Sequence, residues 1–375
     1  MHYLDNSATT PVLPEAAEAA LRVMREDFGN PSSQHTLGIH AAGLLKASRA
    51  SVARALGAQP GEIIFTSGGT ESINTAIFGV CRKHFRRGRH IITTAAEHSA
   101  TLASLKKLEG EGFAVTDLQP DATGHISLDD FENALREDTI LLTVLLVNNE
   151  VGTRMPVAEM GRRLKRKCPQ ALFHIDAVQG LFRVPLTPAR WGCDLMSVSG
   201  HKIGAPKGIG ALYVKSGVRL PPLLYGGGQE NGFRPGTEPM PNIAAFAAAC
   251  DRRAQTFDED TAHVQALAAY LREQVAAQLP WAVQNGENDV PHVVNLSLPG
   301  CKSEVMLRVL EQDGVYVSAG SACAKGHESH VLRAMGLPKE RIDSALRVSF
   351  APFNTKEDVD ALLAALKKGA AMLRR

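Results

Sequence analysis

Lys202 closes a short run, residues 197–202, that places hydroxyl, glycine, imidazole and amine groups directly after an apolar strand pattern. Its neighbours Ser199, Gly200 and His201 can all bind phosphate oxygens. A partly desolvated lysine has a lowered pKa, which favours imine formation with an aldehyde and later proton transfer. The run therefore indicates a lysine that holds an aldehyde cofactor beside a phosphate site. The alternative is a plain exposed lysine, which most lysines are.

Asp176 ends a second strand pattern, residues 172–176. In open α/β sheets ligands collect at the carboxyl ends of strands. A carboxylate there can keep a pyridine nitrogen protonated, so that the ring becomes an electron sink, and Gln179 can donate to a phenolic oxygen. The alternative is that Asp176 caps the following helix. Together with Lys202, this pattern points to pyridoxal 5'-phosphate (PLP).

Residues 67–71, Ser-Gly-Gly-Thr-Glu, lie where a strand pattern passes into a helical one. Backbone N–H groups at a helix N-terminus bind anions, and Thr70 adds a hydroxyl. The alternative is a plain N-cap with Glu71 in the first turn. His98 follows another strand pattern and could stack on a flat heterocycle, although a lone histidine is more often a satisfied structural group.

Cys323 lies among small residues and glycines in residues 318–327, a composition that predicts an exposed loop. Lys325 and His327 would lower the pKa of its thiol, as a nucleophile acting on a sulfur substrate requires. Two alternatives compete. A free cysteine is usually an inert small hydrophobe, and Cys323, His327 and His330 could bind a metal, although a fourth ligand and the usual paired spacing are absent.

Arg347 lies inside a strand pattern, residues 346–350. An arginine among β-branched residues needs a partner, and a substrate carboxylate matches its planar fork. A structural ion pair is the alternative. The other five cysteines lie in helical or apolar settings, and we interpret them as structural.

The elements that position these groups follow from the apolar pattern. From about residue 60, short apolar strands alternate with helices, as in a mostly parallel sheet with crossover helices. The continuous apolar run 140–147 predicts a strand buried on both faces. Near residue 255 the pattern changes, and a long amphipathic helix is predicted over 261–279. We predict an α/β fold with a large domain, 15–255, and a smaller α+β domain, 1–14 and 256–375.

Composition excludes several classes of protein. The chain has 375 residues, 44% of them hydrophobic and 21% charged, which is typical of a soluble enzyme. Its net charge of +2 is too small to indicate a polyanionic partner such as nucleic acid. The start lacks the pattern of a signal peptide, and no apolar run is long enough to span a membrane. Six cysteines without CxxC pairing indicate reduced thiols, so we expect a cytoplasmic protein.

Taken together, these segments resemble the NifS/IscS-type cysteine desulfurases of the class V aminotransferase group, over essentially the whole chain. The resemblance implies PLP-dependent transferase fold type I. It also implies removal of sulfur from L-cysteine, giving L-alanine and a persulfide on Cys323 for iron–sulfur cluster assembly or another sulfur pathway. The supporting segments are residues 4–11, 28–33, 66–72, 97–98, 148–152, 174–179, 199–202, 226–230, 234–238 and 318–323.

The resemblance further implies a role for each matching residue. Lys202 holds PLP as an imine and later removes the α-proton, while His98 stacks on the ring and helps to move protons. Arg347 binds the substrate carboxylate, and Thr237 reaches the phosphate of a partner subunit, which implies a homodimer. No metal is expected. The implied cofactor-binding set is Gly69, Thr70, His98, Asn149, Asp176, Gln179, Ser199, Gly200, His201, Lys202 and Thr237, with Asn149 also contacting the substrate.

Two features depart from the family pattern. After Cys323 the chain continues through Lys-Gly-His-Glu-Ser-His-Val-Leu, residues 325–332, instead of the Thr-Ser-containing sequence of the housekeeping enzymes. It also ends soon after its last helix, whereas members that dock on iron–sulfur scaffolds often carry a longer C-terminal extension. We therefore expect a different sulfur acceptor, such as a tRNA-thiolation or biosynthetic partner.

Other functions remain as alternatives. A class V aminotransferase would not need Cys323, and selenocysteine lyases carry a different sequence around their cysteine. A catalytically silent sulfur carrier or scaffold would not need Lys202, Asp176 or His98. An NAD dehydrogenase is excluded because no G-x-G-x-x-G opens the first βαβ unit.

Overall fold

The computed structural model describes residues 1–287, 289–320 and 328–374. Its strands are β1 (His2–Tyr3), β2 (Ile63–Thr66), β3 (His90–Thr94), β4 (Ala114–Leu118), β5 (Thr139–Leu145), β6 (Leu172–Asp176), β7 (Leu195–Ser199), β8 (Gly210–Val214), β9 (Val283–Asn285), β10 (Val293–Ser297), β11 (Val315–Tyr316) and β12 (Ala345–Ser349). Its helices are α1 (Pro14–Arg25), α2 (Thr36–Leu56), α3 (Gly69–His84), α4 (Ser99–Glu109), α5 (Leu128–Ala134), α6 (Val157–Lys167), α7 (Met240–Gln255), α8 (Phe257–Gln278), α9 (Ser303–Gln312), α10 (His330–Ala334), α11 (Lys339–Asp343) and α12 (Lys356–Leu373).

Seven strands form the central sheet, in the order β2-β8-β7-β6-β5-β3-β4. Only β8 runs antiparallel to its neighbours, so the sheet is mostly parallel. Every residue of β5 is buried, as its continuous apolar run predicts for a strand covered on both faces. A three-stranded antiparallel sheet, β12-β10-β9, and the short parallel pair β1-β11 complete the set. The predicted α/β fold with a mostly parallel sheet is confirmed.

The strand predicted over 140–147 ends two residues early, at Leu145. Asn148 explains this, because its Oδ1 accepts hydrogen bonds from the backbone N–H groups of Glu150 and Val151. Such a bond from a side chain to the following backbone turns the chain back. The long helix begins at Phe257, four residues before the predicted start, with Asp258, Glu259 and Asp260 in its first turn.

The buried apolar side chains form separate clusters, which come from different parts of the chain. One large cluster packs the central sheet against α1, α2, α6 and α7. A second cluster joins Leu4 to α8, α9, β10, β12 and α12. The domain limits proposed from the sequence stay a prediction. Within the described ranges, no helix combines the length and the apolar character needed to cross a bilayer.

Candidate active site

A cavity of about 230 Å³ lies at the carboxyl edge of the central sheet. Asp176 and Ser199, the last residues of β6 and β7, open into it, as expected for a parallel sheet. The residues predicted from the sequence that line it are Gly69, Thr70, His98, Asn149, Asp176, Gln179, Ser199, His201, Lys202 and Arg347. The fold thus gathers into one place groups that are up to 278 positions apart, from Gly69 to Arg347.

Lys202 is half-buried at the end of a 3-10 turn, Gly200–Lys202, and lines this cavity. Its Nζ donates to the carbonyl oxygens of Ser7 (2.6 Å) and Ala8 (2.8 Å). Ser7 and Ala8 are cavity residues to which sequence reasoning gave no role, because a short N-terminal arm has no periodicity to interpret. The arm is held by Ser349, whose Oγ accepts from the N–H of Ser7 (2.8 Å). The exposed-lysine alternative is wrong.

Asp176 is almost fully buried, at 2% exposure. Burial raises the pKa of its carboxyl group to about 6, against the opposing effects of the Val178 N–H bond and the positive charge of Lys202. Residues 177–194, which connect β6 to β7 and are all described, contain turns and no helix, so the capping alternative is wrong. Gln179 lies behind it and donates from Nε2 to the carbonyl of Ser7 (2.9 Å). Both side chains face the cavity, where they could contact a heterocycle.

Two histidines of the cavity are weak bases. Burial, with the nearby charge of Lys202, lowers the pKa of His98 and that of His201 to about 4. The Nδ1 of His98 accepts from the N–H of Ala100 (3.1 Å), so the proton of its neutral ring lies on Nε2. Near pH 7 both rings are therefore neutral, which suits stacking and hydrogen bonding more than charge pairing.

The start of α3, at one end of the cavity, has the features that an anion site requires. Its N-cap residue Gly68 has φ 149°, which only glycine adopts readily, and no side chain caps the helix. Glu71 turns away, accepting from the N–H of Ser67 (2.7 Å) and pairing with Arg234 (2.9 Å). The first backbone N–H groups, with Thr70 and Ser199, are thus available to a phosphate.

Two predicted residues in the described ranges, Gly200 and Thr237, do not line the cavity. A Cβ on Gly200 would lie 3.0 Å from side-chain atoms of Ala205 and of Ile209, so Gly200 serves the tight turn before Lys202. Thr237 is exposed on the surface. Cys323 lies outside the described residues, as does His327. Of the proposed metal ligands only His330 is described, and its Nε2 donates to the carbonyl of Glu97 (2.8 Å).

Arg347 is buried, at 1% exposure, yet lines the cavity. Its Nη1 donates to the carbonyl of Asn149 (3.0 Å) and its Nη2 pairs with Asp5 (2.8 Å). Its Nε has no hydrogen-bond partner among the residues that the structure describes. The structural ion pair is therefore confirmed, whereas substrate binding by Arg347 stays a prediction that the remaining donor capacity at the cavity allows. Asp5 was given no role from the sequence, because it lies 342 positions away.

Glu97 is a further candidate functional residue. It lies in segment 97–98, which supports the family resemblance, but the sequence analysis assigned it no role. It is fully buried beside His98, and burial raises its pKa to about 8. Its Oε1 accepts from Thr94 (2.7 Å) and from the N–H of Leu145 (3.0 Å), whereas Oε2 is buried without a partner among the described residues. The carboxyl group is therefore protonated near pH 7, with its proton on Oε2.

This raised pKa predicts a pH-dependent stability. The folded protein keeps a proton on Glu97 that the unfolded chain releases above the ordinary value of 4.5, so the free energy of unfolding falls from about pH 4.5 to 8. Glu97→Gln mimics the neutral acid and removes this titration. We expect the variant to match wild type near pH 5 and to exceed it above pH 8 by about 2–4 kcal/mol. Urea denaturation at both pH values measures the difference.

The exposed Glu109 provides the control for this experiment. Glu109→Gln should leave the pH dependence of the wild type unchanged. Parallel pH profiles for wild type and Glu97→Gln would show that Glu97 is ionised at neutral pH.

Comparisons with known proteins agree with this geometry. The aminotransferase class-V family model matches residues 2–362. Cysteine desulfurase IscS of Methanosarcina thermophila is 42% identical over 365 residues, covering 96% of this chain and 90% of that protein. Among solved structures, a NifS-like protein has a TM-score of 0.93 at 35% identity, covering 99% of both chains. SspA in complex with cysteine has a TM-score of 0.80 at 32% identity, covering 95% of this chain and all of that one. The chain belongs to the aminotransferase class-V family and, within it, to the IscS/NifS-type cysteine desulfurases.

Proposed function

We propose that this protein, a PLP-dependent cysteine desulfurase, takes the sulfur of L-cysteine onto Cys323 as a persulfide and releases L-alanine. One observation carries the proposal: a single cavity contains Lys202, the buried Asp176 and the buried Arg347. These are an amine for an aldehyde, a carboxyl group for a ring nitrogen and a guanidinium for an amino-acid carboxylate. SspA, whose structure was determined with cysteine, supports this choice of substrate.

The residues of the cavity fit PLP. The uncapped start of α3 with Thr70 and Ser199 suits its phosphate, and Asp176 suits its pyridine nitrogen. The buried Oγ of Ser7 and Nε of Arg347, both without partners in the described ranges, leave polar capacity for a bound cofactor and substrate. When bound, PLP supplies an electron sink for the charge that develops at the substrate α-carbon.

Lys202 performs the proton transfer at that carbon. The carbonyls of Ser7 and Ala8 orient its Nζ, which removes the α-proton and later returns a proton. His98 would stack on the ring of a bound cofactor. One cause of its low pKa, the charge of Lys202, disappears when that amine is neutral, so His98 gains basicity at the stage when protons move.

Arg347 and Asn149 hold the substrate. The substrate carboxylate shares the guanidinium with Asp5, using the donor capacity that the ion pair leaves. The thiolate of Cys323 then attacks the substrate sulfur. An S–S bond forms, and the C–S bond breaks with its electron pair on carbon. The carbon fragment takes up protons and leaves as alanine.

The direct test is product analysis with L-cysteine and added reductant. We expect one alanine for each sulfur released or bound as persulfide. Transfer of the amino group to a keto acid without alanine would identify an aminotransferase instead. Turnover of L-selenocysteine but not L-cysteine would identify a selenocysteine lyase.

The sulfur is passed on to an acceptor in iron–sulfur cluster assembly, tRNA thiolation or another biosynthetic route. The departure of residues 325–332 from the housekeeping pattern favours an acceptor other than the standard scaffold. Five cysteines, Cys81, Cys168, Cys193, Cys250 and Cys301, are buried free thiols, which supports a reducing compartment such as the cytoplasm.

A homodimer completes the proposed site. Thr237 is exposed and does not reach the cavity of its own chain, while the apolar side chains of Tyr225, Phe28 and Ile39 are 79%, 67% and 65% exposed. A contact of Thr237 with a phosphate therefore needs a second copy of the chain, and large exposed side chains such as these are available for burial between the copies. We expect light scattering to give a dimer, and Thr237→Ala to weaken PLP binding by about threefold to tenfold, the loss of one hydrogen bond. A monomer with full PLP affinity would contradict the dimer.

A further inference from the structure

Glu150 is a buried carboxyl group that the proposed chemistry does not use. It is 0% exposed and directly follows Asn149, which lines the cavity. Its backbone N–H donates to Oδ1 of Asn148 (2.8 Å), and its carbonyl accepts from Nδ2 of Asn295 in β10 (3.0 Å). These bonds fix Glu150 where the turn after the central sheet meets the three-stranded sheet.

Both ends of the segment that contains Cys323 approach this carboxyl group. On one side, Ser329 donates from Oγ to Oε2 of Glu150 (2.5 Å). On the other side, a Cβ added to Gly320 would lie 3.5 Å from the same Oε2. Ser329 and Gly320 flank the segment in sequence, so Oε2 of Glu150 lies close to both of its ends.

Ser329 does not need its hydrogen bond to Glu150 in order to cap a helix. Ser329 caps α10 by accepting from the N–H of Leu332 (3.1 Å). Ser127 caps α5 in the same way, accepting from the N–H of Asp130 (3.1 Å), and in the described part of the chain no carboxyl group accepts from its hydroxyl. Burying a carboxyl group costs free energy unless it is hydrogen-bonded. The fold nevertheless places Glu150 here, which indicates that the link itself has a use.

We propose that Glu150 is a positioning residue for sulfur transfer. Through its hydrogen bond to Ser329, and with Gly320 lying beside the same oxygen, it fixes the two ends of the Cys323 segment relative to the chain that bears Asn149 and to the bound substrate. His330 adds a second link through its bond to the carbonyl of Glu97 (2.8 Å), next to His98. The inference rests on the proposed role of Cys323.

The size of the expected rate effect follows from the distance that the Cys323 sulfur must reach to attack the substrate sulfur. Reacting atoms must approach to roughly 3–3.5 Å, and a misplacement of about 1 Å can slow the reaction by about a hundredfold. Loosening one anchor should therefore affect the step at Cys323 and leave the binding of PLP and L-cysteine intact.

The test is a single-turnover measurement of persulfide on Cys323 after mixing PLP-loaded enzyme with L-cysteine. Ser329→Ala is expected to slow this step by about tenfold or more, whereas Ser329→Thr keeps the hydroxyl and stays within about threefold of wild type. The absorbance change of bound PLP on adding L-cysteine should keep its wild-type amplitude and half-saturation in both variants. Glu150→Ala should slow the step similarly, and the double variant should be no slower than Glu150→Ala, because both changes break one contact.

Ser127→Ala is the matched control, because it removes a helix cap of the same kind at α5. It should form persulfide at the wild-type rate. Wild-type persulfide formation in Ser329→Ala, equal slowing in Ser127→Ala, or a proportional loss of the absorbance response would overturn the role of Glu150 alone. Wild-type enzyme that forms alanine without persulfide on Cys323 would overturn both this inference and the proposed function.

Discussion

Replacement of Lys202 by alanine is expected to reduce alanine release from L-cysteine by about a thousandfold or more. Lys202 has two tasks, holding the aldehyde and moving the α-proton, and among the described residues no other lysine lines the cavity. The variant should bind PLP without the covalent link, so borohydride reduction followed by denaturation should leave PLP attached to wild type only. Alanine release and this attachment are measured on the same samples.

Lys202→Arg keeps the positive charge at this position but removes the amine that forms the imine. A guanidinium can still donate to the carbonyls of Ser7 and Ala8, which now accept from Nζ, but it does not form the imine. We expect thermal stability near that of wild type with activity as low as in Lys202→Ala. Lys207→Ala, at an exposed lysine five positions on, is the control and should retain activity within about twofold. Activity above a tenth of wild type in Lys202→Ala would remove Lys202 from the mechanism.

Replacement of Cys323 by alanine is expected to reduce alanine release by about a hundredfold or more at equal PLP loading. The steps at Lys202 and Arg347 do not need Cys323, so the variant should still show the absorbance change of bound PLP on adding L-cysteine. Without a thiolate to accept sulfur, the C–S bond of the substrate persists. Alanine release and persulfide labelling, compared with wild type, measure both parts of the expectation.

Cys168→Ser is the matched control for this experiment. Cys168 precedes β6, at the opposite edge of the sheet from the cavity, and its Sγ donates to the carbonyl of Arg136 (3.2 Å), a bond that serine can keep. It should retain wild-type turnover. Equal alanine release by wild type and Cys323→Ala would exclude Cys323 as the sulfur acceptor.

Several of the predicted groups that line the cavity lie in locally ordered patterns. Asp176 and Ser199 end strands that are recognisable as apolar runs, and Gly69 opens a helix directly after β2. Because parallel strands present their carboxyl ends at one edge, these patterns alone place the three groups together. The same patterns give the order of the sheet elements but not their limits, since Asn148 ends β5 through a side-chain bond that periodicity does not contain.

The sequence by itself therefore determined the fold class, most of the groups that line the cavity and the edge of the sheet at which they meet, because these depend on periodicity and on neighbours in the chain. Tertiary structure alone decided the partners of those groups. Lys202 meets Ser7, 195 positions away, Arg347 meets Asp5, 342 positions away, and Ser329 meets Glu150, 179 positions away. Burial, which sets the pKa values of Asp176 and Glu97, likewise arises only when distant segments exclude water from a carboxyl group.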